Sequence, residues 1–197
     1  MMQLPRPVIL ASASPRRQRL LAEILAEFTV EAAHLDEDAL TVPDPAQTAR
    51  DLALAKARVV WVRYPHAIVI GGDTVVALHE GSGARQLSKP VDTADAFRML
   101  RDLSGRTHTV YTGIAIVDHA GSDAFVSASQ VRFRDLGDAE IEAYIATGEP
   151  MDKAGAYGLQ GLAARFIADV QGDRNTVVGL PVDDLRARLR HRYGAKD

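Results

Sequence analysis

The sequence predicts a mixed α/β fold. Apolar runs of strand length alternate with segments whose apolar residues recur at helical spacing. Two long strand-like segments, 107–118 and 124–134, are joined by His119-Ala120-Gly121-Ser122-Asp123, an antiparallel hairpin signal that argues against a purely parallel βαβ sheet. A length of 197 residues, 47% apolar and 25% charged, suits one large domain or two closely associated lobes around a real core.

In chain order, residues 8–11 read as a first strand. Ser14 suits a helix N-cap, Pro15 the first turn, and Leu20, Leu21, Ile24, Leu25 and Phe28 form a helical stripe. Arg16 and Arg17 sit in that first turn, the unfavourable end for cations. They are either solvated or face an anion docked on the free N–H groups. Residues 28–32 read as a strand leading to the acidic run Asp36-Glu37-Asp38. Asp36 and Asp38 are expected in solvent, and Glu37 becomes a metal ligand if this loop borders a cleft. Asp44-Pro45 starts a helix to about Arg63 with a broad face of Leu52, Leu54, Ala55, Val59, Val60 and Val62. Lys56, within that face, is expected to snorkel to solvent.

The stretch 67–90 organises the rest. An apolar run, 67–70, is followed by Gly71, Gly72 and Asp73, and a second run covers 74–78. An acid between two core-seeking runs is paired, protonated or cation-bound, because burying it alone costs several kcal/mol. After a Gly-rich hairpin, Ser88-Lys89-Pro90 brings an ammonium back toward it. The bland counterpart is a strand-end Asp paired with a Lys. Beyond, Asp92 caps a helix through Leu103 that Gly105 stops, and a further helix covers 138–147. Residues 149–161, EPMDKAGAYGLQG, have the composition of a shaped loop under a ligand. Strands are expected at 166–170 and 176–179, and a last helix begins at Pro181 and ends in a basic, solvated tail, 186–192.

Composition narrows the chemistry. A net charge of −3 draws the chain neither to nucleic acid nor to an anionic membrane. No cysteine means no disulfide, thiol nucleophile or Cys-bound zinc, and the six histidines show no metal-binding spacing. With no signal peptide or membrane-length run, a cytoplasmic location is expected. Gly81-Ser82-Gly83 completes neither a dinucleotide fingerprint nor a P-loop. The parts of another cradle are present: Ser12, Ser14, Arg16 and Arg17 at a helix N-terminus, Glu37 and Asp73 as hard oxygen ligands, and Lys56, Lys89 and Lys153 as point charges. From residues alone these fit a metal-dependent phosphate-ester or anhydride hydrolase.

Several blocks carry a resemblance. L-A-S-A-S-P-R-R-Q-R-L-L at 10–21, G-G-D-T-V-V at 71–76, S-K-P at 88–90 and M-L-R-D-L-S-G-R-T-H at 99–108 are followed by T-G at 112–113, E-P-M-D-K-A-G-A-Y-G-L-Q-G at 149–161 and V-V-G-L-P at 177–181. In this order, over nearly the whole chain, they resemble the Maf family of nucleoside triphosphate pyrophosphatases.

The resemblance implies one domain over 1–197, with a central twisted mixed sheet flanked by helices and two lobes around a cleft, as in the Maf and ITPase folds. It also implies hydrolysis of a nucleoside triphosphate to monophosphate and pyrophosphate with Mg²⁺ or Mn²⁺, by a homodimer. Asp73 takes the place of the proton acceptor. Arg16, Thr74 and Gln160 match positions that set base choice, and Ser12, Ser14, Arg17, Glu37, Lys56, Lys89 and Lys153 match phosphate and metal positions. The 149–161 block is similar to the dTTP/UTP branch of the family, with modified pyrimidine nucleotides as further substrates. Gly72 and Ser88 depart from the usual Ala and Gly, and the hairpin 79–87 is a little long. An alternative implied by relatives' association with septum formation is a nucleotide-sensing regulator without turnover.

Overall fold

The computed structural model describes residues 1–81 and 83–194. Ser82, in the predicted Gly-rich hairpin, lies outside them. Seven strands form one mixed sheet: β1 (Val8–Leu10), β2 (Thr29–Val30), β3 (Ile68–Glu80), β4 (Gly83–Leu87), β5 (Thr107–Asp118), β6 (Gly121–Phe133) and β7 (Ile167–Gln171). Their order is β2-β1-β3-β5-β6-β7, with β4 paired to β3. β1 runs parallel to β2 and β3, and the remaining pairs are antiparallel. The helices are α1 (Pro15–Ala22), α2 (Pro45–Arg63), α3 (Thr93–Leu103), α4 (Asp138–Ile145), α5 (Arg174–Val178) and α6 (Val182–Tyr193). No described helix is long and apolar enough to cross a membrane.

β3 holds the molecule together, as the sequence led one to expect, but as a single strand and not two runs. Along one edge it pairs with β1 only at Ile68–Ile70 and with β4 only from Val76 onward. Residues 71–75 therefore have no ladder partner on that edge, while the other edge is fully paired with β5. This gap lies at the carboxyl end of β1, where a sheet's strand order divides and ligands commonly sit.

Two separate cores cover one face of the sheet. α1 and α6 pack Leu20, Leu21, Leu185 and Leu189 over Leu10, Ile70 and Ile116. α3 and α4 pack Leu100, Leu103, Ile141 and Tyr144 over Leu78, Val110 and Val131. On the face between them lie Gly72, Thr74 and Thr112, so two lobes meet across a polar seam.

α2 covers the opposite face, over Ile9, Val69, Ala115 and Val117. Its buried side is an alanine row, Ala49, Ala53 and Ala57, and the predicted apolar residues Val59 and Val62 are 41% and 73% exposed. Geometry explains the difference. A Cβ on Gly71 would lie 2.2 Å from the Ala53 carbonyl oxygen, and one on Gly113 would lie 2.1 Å from that of Ala49. Helix and strands touch backbone to backbone, and only small residues fit between.

Other expectations need correction. The helical stripe read from Leu20 to Phe28 outlasts α1, which stops at Ala22 with Glu23 as its cap. The second strand shrinks from 28–32 to two residues. Residues 176–179 read as a strand from their Thr-Val-Val run, but 176–178 form the end of α5 and Gly179 its C-cap. Asp173 accepts from the Asn175 and Thr176 amides, and this cap overrides the weak β preference. The tail of α6 is not simply solvated: Arg188 grips Asp123 and stacks on Phe125 at 4.2 Å, and Arg192 pairs with the buried Asp118 at 2.7 Å.

Candidate active site

Asp73 lies in the β3 gap and is 8% exposed. Its Oδ1 accepts from Lys56 Nζ at 2.6 Å. The register places Asp73 opposite Gly113, on the face that α2 covers, so α2 delivers Lys56 directly over it. Lys56 does not snorkel. It is 9% exposed, and its ammonium also meets Glu37 Oε1 at 2.9 Å. Two carboxylates thus converge on one buried ammonium, Asp73 from inside and the exposed Glu37 from the solvent side, and the pairing repays part of the cost of burying Lys56 and Asp73.

The Glu37 loop is tied down by Thr48 Oγ1, which bonds the Val42 backbone, and by Gln86 Nε2, which donates to Val42 O. Burial pushes the Asp73 carboxyl above its ordinary pKa; Lys56 and Arg17 pull it back, and Glu37 adds to the rise. A base displaced upward from the carboxylate range binds a proton more readily, as general base catalysis needs.

The segment after β1 forms the next wall. Ser14 caps α1 by accepting from the Arg17 amide, and Ser12 Oγ accepts from the Ser14 amide. Arg17 turns inward under this turn. Its Nε donates to Gly179 O, its Nη1 to Ser12 Oγ and its Nη2 to Thr74 Oγ1, all at 2.9–3.0 Å. Thr74 in turn meets Thr112 Oγ1 at 3.0 Å, and Thr112 donates to Thr176 O. Arg17 is thereby the bolt of the polar seam, joining the α1 turn, β3 and the end of α5. Burial lowers its pKa, with Asp73 opposing; guanidinium still carries its charge.

At Gly72 an added Cβ would lie 3.1 Å from Arg17 Nε and 3.2 Å from Ile114 Cδ1, so a side chain there would press on the bolted guanidinium. Thr112 and the Gly179 carbonyl went unnoticed in the sequence. Their only mark there is membership of two blocks of the family resemblance, T-G at 112–113 and V-V-G-L-P at 177–181.

Arg16 points the other way and reaches Asp152 Oδ2 at 3.6 Å. Asp152 also accepts from Lys153 Nζ, which donates as well to Glu149 O. Burial works to raise the Asp152 pKa, but Lys153 and Arg16 hold it below the usual carboxylate range. Arg16 and Lys153, far apart in sequence, are therefore bridged by a residue that sequence reasoning passed over.

Lys89 is exposed, two residues past the end of β4, and the preceding Ser88 carbonyl accepts from the Gly155 amide at 3.1 Å. Gln160 is exposed on the same 149–161 segment, which folds as short 3₁₀ turns. Two wide surface hollows, of about 720 and 590 Å³, lie elsewhere: one between β6 and α6, one over β5 and β6. Neither holds an acid–base pair buried like Asp73 and Lys56.

Among the described residues no three His, Cys, Asp or Glu side chains cluster as a ready-made metal site. Asp73 and Glu37 do fit a hard divalent cation of the Mg²⁺ type, which takes one or two carboxylates and fills its remaining positions with phosphate oxygens and water.

Comparisons with known proteins identify the family. The model of the family described as Maf-like protein matches residues 7–192. A dTTP/UTP pyrophosphatase of Symbiobacterium thermophilum is 49% identical over 177 residues, covering 89% of this chain and 88% of its own. One of Moorella thermoacetica is 49% identical over 184 residues, covering 92% and 93%, and one of Thermococcus kodakarensis is 44% identical over 177 residues, covering 89% and 92%. Among solved structures, the Staphylococcus aureus Ham1 protein superposes with a TM-score of 0.55 at 15% identity, over 95% of this chain and all of its own, a likeness of fold. With its sequence model spanning nearly the whole chain and relatives close to half identical, the chain belongs to the Maf family.

Proposed function

We propose that this chain hydrolyses nucleoside triphosphates to monophosphate and pyrophosphate, with dTTP and UTP as preferred substrates and modified pyrimidine nucleotides as further ones. The observation that carries the reading is the Asp73–Lys56 pair buried in the β3 gap, with the exposed Glu37 on the same ammonium and the capped N-terminus of α1 held beside it through Arg17. Relatives bearing the name dTTP/UTP pyrophosphatase support the substrate.

In this reading the triphosphate lies across the gap. The α1 N-terminus with Ser12, Ser14 and Arg16 meets it from one side, and Lys89 and Lys153 from the other; amides and ammoniums there neutralise phosphate charge. Asp73 takes the proton from a water attacking the α-phosphorus, and pyrophosphate leaves. Lys56 holds Oδ1, which leaves Oδ2 to receive that proton. Glu37 and Asp73 would hold Mg²⁺ or Mn²⁺, which when bound supplies charge neutralisation at the phosphates. A regulator that only binds nucleotide would gain nothing from a buried acid whose ionisation is costly.

Base choice falls to Arg16, Thr74 and Gln160. A side-chain amide can pair with the N3–H and carbonyls of thymine or uracil. Thr74 acts through Arg17, since its hydroxyl is occupied there. The reading takes the chain as a cytoplasmic homodimer.

Its test is a pyrophosphate-release assay over dTTP, UTP, CTP, ATP, GTP and 7-methyl-GTP with either metal. The expected outcome is that both named pyrimidines rank above the purines in kcat/KM; 7-methyl-GTP ranking first would reject the substrate assignment.

A further inference from the structure

The segment 149–161 is a loop closed at its ends. Glu149 Oε2 accepts from the Leu162 amide and its Oε1 from the Tyr144 hydroxyl, both at 3.1 Å, so one carboxylate ties both ends to α4. In the middle the backbone passes through two left-handed residues, Gly155 at φ 68° and Ala156 at φ 60°. Ala156 is the only described non-glycine with positive φ. L side chains avoid that region, so the surroundings must impose it.

Next in sequence, Tyr157 turns into the core and is 5% exposed. Its ring meets Phe133 and His108 edge-on, with centroids 4.8 and 5.3 Å away. Its hydroxyl lies 2.7 Å from His108 Nε2 on β5.

His108 is fully buried, and its Nδ1 has no hydrogen-bond partner. Its ring is packed by Phe133 and Tyr157, and no charged group faces it among these contacts. Burial lowers its pKa to about 3, so the imidazole is neutral at physiological pH. A half-satisfied buried imidazole is a poor way to stabilise a core. Two apolar groups of the same shape would serve at least as well. What the polar pair adds over an apolar one is a fixed direction.

We propose that Tyr157 is a positioning residue for the reaction: held by His108 through its hydroxyl, it fixes the middle of the 149–161 loop and so sets Lys153 and Gln160 in place. Short links connect them. The Ala156 amide donates to Lys153 O at 3.0 Å, and the Gly155 amide to Ser88 O beside Lys89. A Cβ on Gly158 would lie 3.1 Å from Lys153 Cδ and Cε and 3.4 Å from Gln160 O, so the three residues pack as one unit. The proposal rests on the reading of Lys153 and Gln160 as substrate residues.

The test compares Tyr157→Phe, His108→Leu and His108→Gln by thermal melting and by kcat and KM for UTP and GTP. Tyr157→Phe and His108→Leu should unfold cooperatively yet lose roughly tenfold in kcat/KM for UTP and narrow the UTP-over-GTP ratio, because small displacements of positioning groups are costly. His108→Gln, whose amide still reaches a hydroxyl, should recover most of both. Unchanged UTP and GTP kinetics in Tyr157→Phe overturn the proposal, as does a lowered melting temperature with unchanged kinetics, the mark of a purely structural bond. If Tyr157→Phe fails to fold, equal kinetics for His108→Gln and His108→Leu overturn it. Lys153→Ala and Gln160→Ala, run alongside, separate the two levels. If both are harmless, the substrate-site reading falls together with the proposal. If both are impaired while Tyr157→Phe is not, only the positioning falls.

Discussion

In the proposed reaction, Asp73 and Lys56 carry the chemistry at the scale of single residues. Asn is nearly isosteric with Asp and cannot take a proton from water. Asp73→Asn is expected to remain folded and to lose roughly 10²–10⁴-fold in kcat, the usual worth of a general base; circular dichroism and turnover measured together check it. Lys56→Met strips a buried ion pair of its cation, a loss on the order of 3–5 kcal/mol of stability. Lys56 also lowers the Asp73 pKa, so its removal raises that pKa further. The base must be ionised to work; the acid limb of the Lys56→Met pH–rate profile should therefore lie at higher pH than that of the wild type. An unmoved limb would separate Lys56 from the base.

Asp73 could be read from sequence because an acid between apolar runs is a contradiction that demands a partner. The partner could not. Lys56 sits in an apolar helical stripe, where a lysine ordinarily reaches for solvent, and only the docking of α2 on β3 aims it inward.

His108 gives a second residue-scale prediction. Its pKa falls from 6.5 to about 3 on folding. Between these values the unfolded chain binds the extra proton, so this contribution to stability is complete above pH 6.5 and is lost as pH falls through that window. Wild type should therefore lose stability relative to His108→Gln between pH 6.5 and 4.5, by up to about 1.4 kcal/mol per pH unit. Denaturant melts across that range measure the difference, and parallel curves would contradict it. Asp118, held down to about 2 by Arg192 and Tyr193 against the cost of its burial, loses its contribution only below its ordinary 3.8 and leaves this comparison clear.

At the scale of elements, the approach of α2 to the sheet matters most. Gly71 and Gly113 are required for lack of a side chain, not for an unusual φ, since a Cβ on either would overlap the helix backbone. Gly113→Ala should force α2 away from β5, cost more than about 2 kcal/mol and withdraw Lys56 from Asp73, so stability and activity fall together. A variant that keeps its melting temperature would disprove the close packing. Elements whose limits are set locally were legible in sequence: Ser14, Asp44 and Asp92 each cap the helix they announce, and Gly105 follows α3 with φ of 69°. Elements set by tertiary contact were not. The Thr-Val-Val run at 176–178 has strand composition, but Asp173 caps it and Thr176 bonds Ser127, which fixes it as a helix against β6.

For the whole molecule, function follows from a sheet interrupted along one strand. β1 and β4 share an edge of β3 without meeting, two cores fill the same face on either side, and among the described residues the one acid buried in the gap is Asp73. Charge and composition could not reveal this gap, because it depends on which strands pair. Four blocks of the Maf resemblance, 10–21, 71–76, 112–113 and 177–181, are joined around Arg17, and 149–161 reaches them through the Arg16–Asp152 contact.

The most direct test of this account is phosphorus NMR of UTP turnover by wild type and Asp73→Asn in a single series. It predicts UMP and pyrophosphate as the wild-type products, and the same products at a rate lower by about 10²-fold or more from the variant. UDP and inorganic phosphate from the wild type, or undiminished turnover by a folded Asp73→Asn, would contradict it.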